Sequence, residues 1–157
     1  MTQNSINAIL RQVQRITSST SAVVTCSTTI PNDNTIPQKT EGDEVLTVTI
    51  TPSSTTSTLY IWFTGVLTKD GTAGRVITAL FQDTTSNALC ASNVFANGGK
   101  SVTGDLRYVM TSGTTSSTTF KIRVGGDAGS VYTNADSTGT RTMGGISNTT
   151  LTVTEYL

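Results

Sequence analysis

Histidine is absent from the sequence. With it go the commonest general base, the usual partner of serine and cysteine nucleophiles, and the imidazole metal ligand, so most hydrolase mechanisms are excluded and no enzymatic activity is expected. The two cysteines, Cys26 and Cys90, are too few and too far apart for a disulfide framework or a zinc cluster. They are expected as reduced thiols, at least one of them buried. Only 13% of residues are charged, ten basic against ten acidic, and no basic cluster occurs. A surface for nucleic acid or anionic membrane needs grouped Lys and Arg, so neither partner is expected. No apolar run approaches the ~20 residues that cross a bilayer, and the first residues lack the charged and apolar regions of a secretory signal. Synthesis and folding in a cytosol are expected, with no cofactor.

What the sequence has instead is threonine, 34 residues of it, together with 17 serines. The branched Cβ of threonine suits a pleated, half-exposed surface and is unfavourable within helices. Balanced charge and long stretches of apolar-polar alternation argue against disorder. A chain of 157 residues is long enough for one domain with a real core. From residue 21 onward, strands are predicted near 22–28, 44–51, 58–67, 75–82, 88–95, 102–111, 118–125, 130–134 and 149–156, separated by Gly, Pro, Asn and Ser clusters. Nine short antiparallel strands suit a jelly-roll sandwich, so the fold class is mainly β.

The first twenty residues read differently. In "SINAILRQVQRI", Ile6, Ile9, Val13 and Ile16 follow steps of 3, 4 and 3, the apolar seam of a heptad repeat, with Arg11, Gln14 and Arg15 outside it. The spacing predicts a short coiled-coil helix over 1–20, capped by Asn4 or Ser5, ahead of a β domain over 21–157. β-Branched residues at both seam positions favour three or four strands over two. Two heptads span only ~20 Å, too short to be stable alone, so other contacts must hold the copies together. The competing reading is an amphipathic helix packed on its own domain.

Strand faces sharpen this expectation. Phe120, Ile122 and Val124 alternate with Lys121 and Arg123, one face for the core and one for water. Two strands break that rule. Leu59, Ile61 and Phe63 oppose Tyr60 and Trp62, and Ile77, Ala79 and Phe81 oppose Val76, Thr78 and Leu80. A single sandwich core covers one face, so the other needs neighbouring segments or neighbouring copies. We therefore expect a homotrimer with Tyr60, Trp62, Ile77 and Phe81 at its subunit interface, the alternative being a monomer whose own loops cover them.

Three further patterns bear on chemistry. The segment "CSTTIPNDNTIPQKTEGDEVL" holds Asp33, Glu41, Asp43 and Glu44 between Pro31, Pro37 and Gly42. Its spacing does not match a calcium-binding EF-hand loop, and carboxylates in a proline-bounded loop read as a solvated turn, so a structural excursion is expected over 29–43. The glycines of "VGGDAGS" and "TMGGIS" precede neither Lys-Ser nor Lys-Thr and read as turns, not phosphate loops. Trp62, Tyr60, Tyr108, Tyr132 and Tyr156 could stack on a sugar, although strand alternation favours core or interface roles for them.

Over roughly residues 28–157, the segments "TIPNDNTIPQKTEGDEVLTVTITPSSTTSTLYI", "ALFQDTTSNALCA", "SGTTSSTTFKIRVGG" and "MGGISNTTLTVTE" together resemble a domain of tailed-phage and prophage fibre or head-decoration proteins. The resemblance implies a trimeric jelly-roll knob, similar to tumour necrosis factor and complement C1q heads, on the surface of a virion assembled in the host cytoplasm. It also implies that the last strand lies toward the threefold axis, with Leu151 and Val153 near the core and Thr150, Thr152 and Thr154 elsewhere. The implied partners are further copies of the chain, a phage capsid or tail protein and a host-surface glycan. The implied role is a head fibre, decoration protein or short spike, with a carbohydrate-binding module as the rival.

Overall fold

The computed structural model describes residues 11–157, which form two antiparallel sheets packed face to face. Ten strands follow one another along the chain: β1 (Gln12–Thr20), β2 (Val24–Cys26), β3 (Asp43–Ile50), β4 (Thr58–Lys69), β5 (Gly74–Gln82), β6 (Cys90–Ala96), β7 (Ser101–Thr111), β8 (Thr118–Gly126), β9 (Val131–Thr133) and β10 (Thr149–Tyr156). All nine strands expected from the alternation are present. The glycine-rich stretches are turns: residues 127–130 link β8 to β9, and Met143–Gly145 form a single 3-10 turn before β10.

The larger sheet is organised around the twelve-residue β4. Along one edge β4 pairs with β7 from Thr58↔Thr111 to Thr68↔Ser101. Its other edge is shared, with β10 along Thr58–Thr64 and β9 along Leu67–Lys69. Beyond β10 lies β1, and beyond β9 lies β2. The smaller sheet runs β3-β8-β5-β6. Between the sheets sit Leu59, Ile61, Phe63 and Leu67 of β4, Leu106 of β7, and Leu151 and Val153 of β10. They meet Val48 and Ile50 of β3, Val76 and Leu80 of β5, and Phe120, Ile122 and Val124 of β8. Each such side chain contributes roughly 1.5–3 kcal/mol by leaving water, enough in sum to oppose the ordering entropy of the strands. Thr150 and Thr154 are half-buried on the opposite face of β10, as the alternation requires.

The helix expected over 1–20 is corrected by this arrangement. Residues 12–20 are the strand β1, antiparallel to β10 from Gln12↔Tyr156 to Thr20↔Thr149. Val13 lies at the bulge between Gln12 and Gln14, and Ile16 pairs with Val153 at the sheet margin. They form no helical seam, and Ile6 and Ile9 lie outside the described residues. The physical reason is that "VQRITSST" is rich in β-branched and hydroxyl side chains that fit a strand, and β10 offers it a complete ladder. Among the described residues no helix is long and apolar enough to cross a membrane.

A candidate interaction surface and the pins that frame it

The acidic loop over 29–43 serves as scaffolding. Between β2 and β3 the chain crosses the outer face of the smaller sheet. Ile30, fully buried, packs there on Ile77, Ala79 and Phe81 as a second apolar cluster. Ile30 N donates to Gly126 O at 3.1 Å and Gly42 N to Thr29 O at 3.2 Å. Further along, Ala88 N donates to Pro37 O and Lys39 N to Ser86 O, fastening the loop to the β5-β6 turn. Gly42 sits at φ +61°, where a Cβ would come within 2.7 Å of the Ile30 side chain and 2.9 Å of Val124 O, so only glycine fits the return. Ile77 and Phe81 are therefore covered by their own chain and need no subunit over them, which corrects their placement at a subunit interface.

The carboxylates of this loop hold backbone. Asp33 Oδ1 accepts from Thr35 N and Oγ1 at 2.8 and 2.6 Å, and Asp43 accepts from Thr28 N and Oγ1 at 2.8 and 3.0 Å. Glu41 Oε2 accepts from Gln38 N at 2.9 Å. Side-chain and backbone hydrogen bonds from Thr35 hold the Asp33 carboxyl below the usual carboxylate range. Among the described residues, no group of three or more Cys, Asp and Glu converges as a metal ion requires.

Glu155 is the most elaborate of these pins. On the inner face of β10 and fully buried, it accepts from Gln14 Nε2 of β1 at 2.5 Å, from Ser53 N and Oγ at 2.7 Å each, and from Ser57 Oγ at 2.5 Å. Burial alone would raise its pKa; the hydrogen bonds from Ser57, Gln14 and Ser53 outweigh that and hold it down to about 2. The carboxylate thus ties the edge strand β1 and the β3-β4 connection to the larger sheet. Asn134, buried in a left-handed conformation at φ +54°, does the same at the other end. Its Nδ2 donates to Thr20 O and Ala22 O at 3.0 and 3.1 Å, and its Oδ1 accepts from Ser147 and Thr149 hydroxyls. Lys69, also fully buried, donates to Ala128 O and sits 3.4 Å from Asp70 Oδ1. Cys26 is buried and Cys90 half-buried, both free; burial pushes their thiols up to about 12 and about 11. Neither thiol has the thiolate character of a nucleophile at neutral pH.

The outer face of the larger sheet stands apart because nothing among the described residues covers it. Strand register brings two rows across it: Thr17, Thr152, Trp62 and Arg107 in one, Arg15, Thr154, Tyr60 and Val109 in the next. Tyr60, Trp62 and Val109 keep 42%, 45% and 50% of their surface exposed. The Arg107 guanidinium lies 5.0 Å over the Trp62 ring, Trp62 Nε1 donates to Asp105 Oδ1 at 2.7 Å, and Arg107 Nε is 3.5 Å from Asp105 Oδ2. Tyr60 and Tyr156 meet edge to face at 5.1 Å. Together these side chains surround a shallow cavity of about 450 Å3. Of the five aromatics considered for sugar stacking, the structure gathers Tyr60, Trp62 and Tyr156 here. Tyr108 packs instead against the main core, and the Tyr132 ring is 3.1 Å from where a Cβ on Gly139 would stand. Arg107 and Val109 were missed in the sequence. The alternation within "GDLRYVM" puts them on one face, but only their register with β4 aligns them with Trp62 and Tyr60.

Fold and pins define the class first: a two-sheet antiparallel sandwich of jelly-roll-like form, with almost no helix and one aromatic sheet face open. The sequence pattern of the Pgp3 C-terminal domain, a domain of a Chlamydia virulence protein, matches residues 16–156, and the chain belongs to that family. The match corrects the resemblance to tailed-phage fibre and head-decoration proteins, because it spans almost the whole stretch on which that resemblance rested. No curated protein matches the chain. Solved structures similar to it include the T13 particle of infectious bursal disease virus, at 11% identity over 93% of this chain and 36% of that one, with a TM-score of 0.42. The Gx strain of the same virus is similar at 12% identity over 92% and 38%, TM-score 0.38, and its VP2 subviral particle at 13% over 95% and 38%, TM-score 0.36. The chain spans little more than a third of the length of these capsid chains.

Proposed function

We propose that this chain is a non-catalytic structural subunit that assembles with two further copies of itself through the outer face of its larger sheet. The observation that carries the reading is the contiguous row of half-exposed aromatics, Tyr60, Trp62 and Tyr156 with Val109, on a sheet face that no loop among the described residues crosses. Scattered exposed apolar groups need no explanation; a flat aromatic patch rimmed by Arg15 and Arg107 has the composition of an interface, in which Trp, Tyr and Arg carry most of the binding energy. A non-catalytic role is supported by the carboxylates of Asp33, Asp43 and Glu155, each of which accepts from backbone and hydroxyl donors that hold the local chain. Closed sheets and a low-charge Thr and Ser exterior offer proteases few openings, which suits a structural subunit exposed on the surface of an assembly. Sedimentation equilibrium at micromolar concentration tests the assembly: a mass of three chains is expected, and Trp62→Ala with Tyr60→Ala should shift it to one. A single-chain mass for the unaltered protein would end the proposal.

A further inference from the structure

The loop that covers the smaller sheet leaves a second cleft, of about 140 Å3, between its 31–37 segment and β6. Ile77, Pro31 and Pro37 contribute apolar lining to the cleft, with Asp33 from the loop and Asn93 from β6 among its polar lining. The hydrogen-bonding state of both polar groups is determined. Asp33 Oδ1 is committed to Thr35, which leaves Oδ2 as a free acceptor. Asn93 Oδ1 accepts from Arg75 Nη1 at 3.0 Å, which leaves its Nδ2 as a donor with no partner among the described residues. One step along the same face of β6 is Phe95, 54% exposed, with the Arg75 guanidinium 5.7 Å from its ring centre. Among the described residues, no element uses this combination of acceptor, donor, apolar walls and adjoining aromatic ring.

We propose that this cleft is a glycan subsite that takes one pyranose ring, neutral or amino-substituted, with the next sugar of the chain resting on Phe95. A pyranose offers what the cleft lacks: vicinal hydroxyls that can donate to Asp33 Oδ2 and accept from Asn93 Nδ2 at once, and a C–H face for the proline and isoleucine walls. The volume sets the size, since clefts for drug-sized ligands run to about 300–1,000 Å3 and this one holds a single ring. Charge sets the class. The Asp33 carboxyl is ionised at neutral pH, as its ordinary value already requires and the Thr35 hydrogen bonds reinforce, so a uronate or sialate brought beside it is repelled. Binding by so small a site is weak, on the order of millimolar for one ring. The site itself does not depend on the trimeric reading, but useful avidity does, because three copies on one particle multiply the apparent affinity by roughly 100-fold or more.

The test is saturation-transfer NMR on the whole protein with methyl pyranosides of glucose, galactose, mannose, N-acetylglucosamine and N-acetylgalactosamine, alongside glucuronic and sialic acids. At least one neutral or N-acetylated ring should give transfer, and the two acids should not. Asp33→Ala and Asn93→Ala should each weaken binding by ~10-fold or more. Phe95→Ala should weaken a disaccharide but leave the single ring unchanged. Asp33→Asn removes the charge and, with its Oδ1 still held by Thr35, sets an amide donor where Oδ2 accepted, so it should weaken the neutral ring and admit the acids. All three side chains are exposed, so unchanged melting temperatures establish that these variants fold. The inference is overturned by silence from every neutral ring at millimolar concentration, by binding indifferent to both Asp33→Ala and Asn93→Ala, or by loss of binding in Trp62→Ala. The last outcome would move the sugar to the larger sheet and count against the subunit interface, whereas failure at Asp33 and Asn93 alone leaves the assembly standing.

Discussion

β4 and β5 carry the same two-faced pattern in sequence, and the molecule resolves them in opposite ways. The second face of β5 is sealed by Ile30 from the β2-β3 loop, so Ile77 and Phe81 are 4% and 2% exposed. The second face of β4 is left bare, with Tyr60 and Trp62 nearly half exposed. Two-sided apolarity in a strand therefore says that a cover exists, not whether it comes from the same chain. What decides is whether a connection carries an apolar residue long and rigid enough to lie across the sheet. Ile30, set beside Pro31 and returned by Gly42, supplies that for the smaller sheet. The larger sheet is held by a polar device instead, the Glu155 pin, which closes its margin but covers no surface.

The sharpest way to break this comparison is Ile30→Ala. It removes the centre of the cover and should cost about 2–5 kcal/mol in urea unfolding without altering the oligomeric mass. A loss under about 0.5 kcal/mol would mean that the loop only decorates the sheet. Glu155→Gln probes the other sheet through pH. A carboxylate whose folded pKa is about 2 stabilises fully above its ordinary value near 4.5, and that contribution is lost as pH falls from there toward 2. The unaltered protein should lose roughly 2–3 kcal/mol across this window. The glutamine variant should be less stable at pH 7 by about 1–3 kcal/mol and lack most of that fall. Gly42→Ala, forced into the left-handed region and against Ile30, should cost about 1–3 kcal/mol, with faster hydrogen exchange confined to the loop. Least on stability, and most on assembly, is Trp62→Ala: within about 1 kcal/mol by thermal melting, yet with the trimer dissociated. Retention of the trimer in this variant would leave the bare face without its proposed occupant.

Period-two alternation made most of this architecture legible beforehand. The alternating β8 was placed almost to the residue, and so was β10; the burial of Leu151 and Val153 in β10 was implied by the resemblance, not read from alternation. Residues 12–20 were misread because Val13 and Ile16 fit a heptad seam when only apolar spacing is weighed, while the Thr and Ser that follow belong to a strand. Their partner β10 lies some 140 positions away, and no local pattern could point to it. The loop over 29–43 was recognised as structural, yet the target of Ile30 was invisible, since an isolated apolar residue in a loop has no periodicity. The interaction face was half legible. Tyr60 and Trp62 stood out by composition, whereas Arg107 and Val109 join them only through strand register, which depends on how distant segments meet.

The pairing of β1 with β10 has a consequence for synthesis. The first of the described strands has its ladder partner in the last, and backbone bonds between Arg11 and Leu157, 2.9 Å in each direction, complete the pairing. Until β10 has been made, β1 must wait with its hydrogen-bonding groups open, the state in which nascent strands stick to one another. Its composition suits that wait: Arg15, three glutamine and arginine neighbours and a run of hydroxyls keep the segment well hydrated, so β10 finds its partner still soluble.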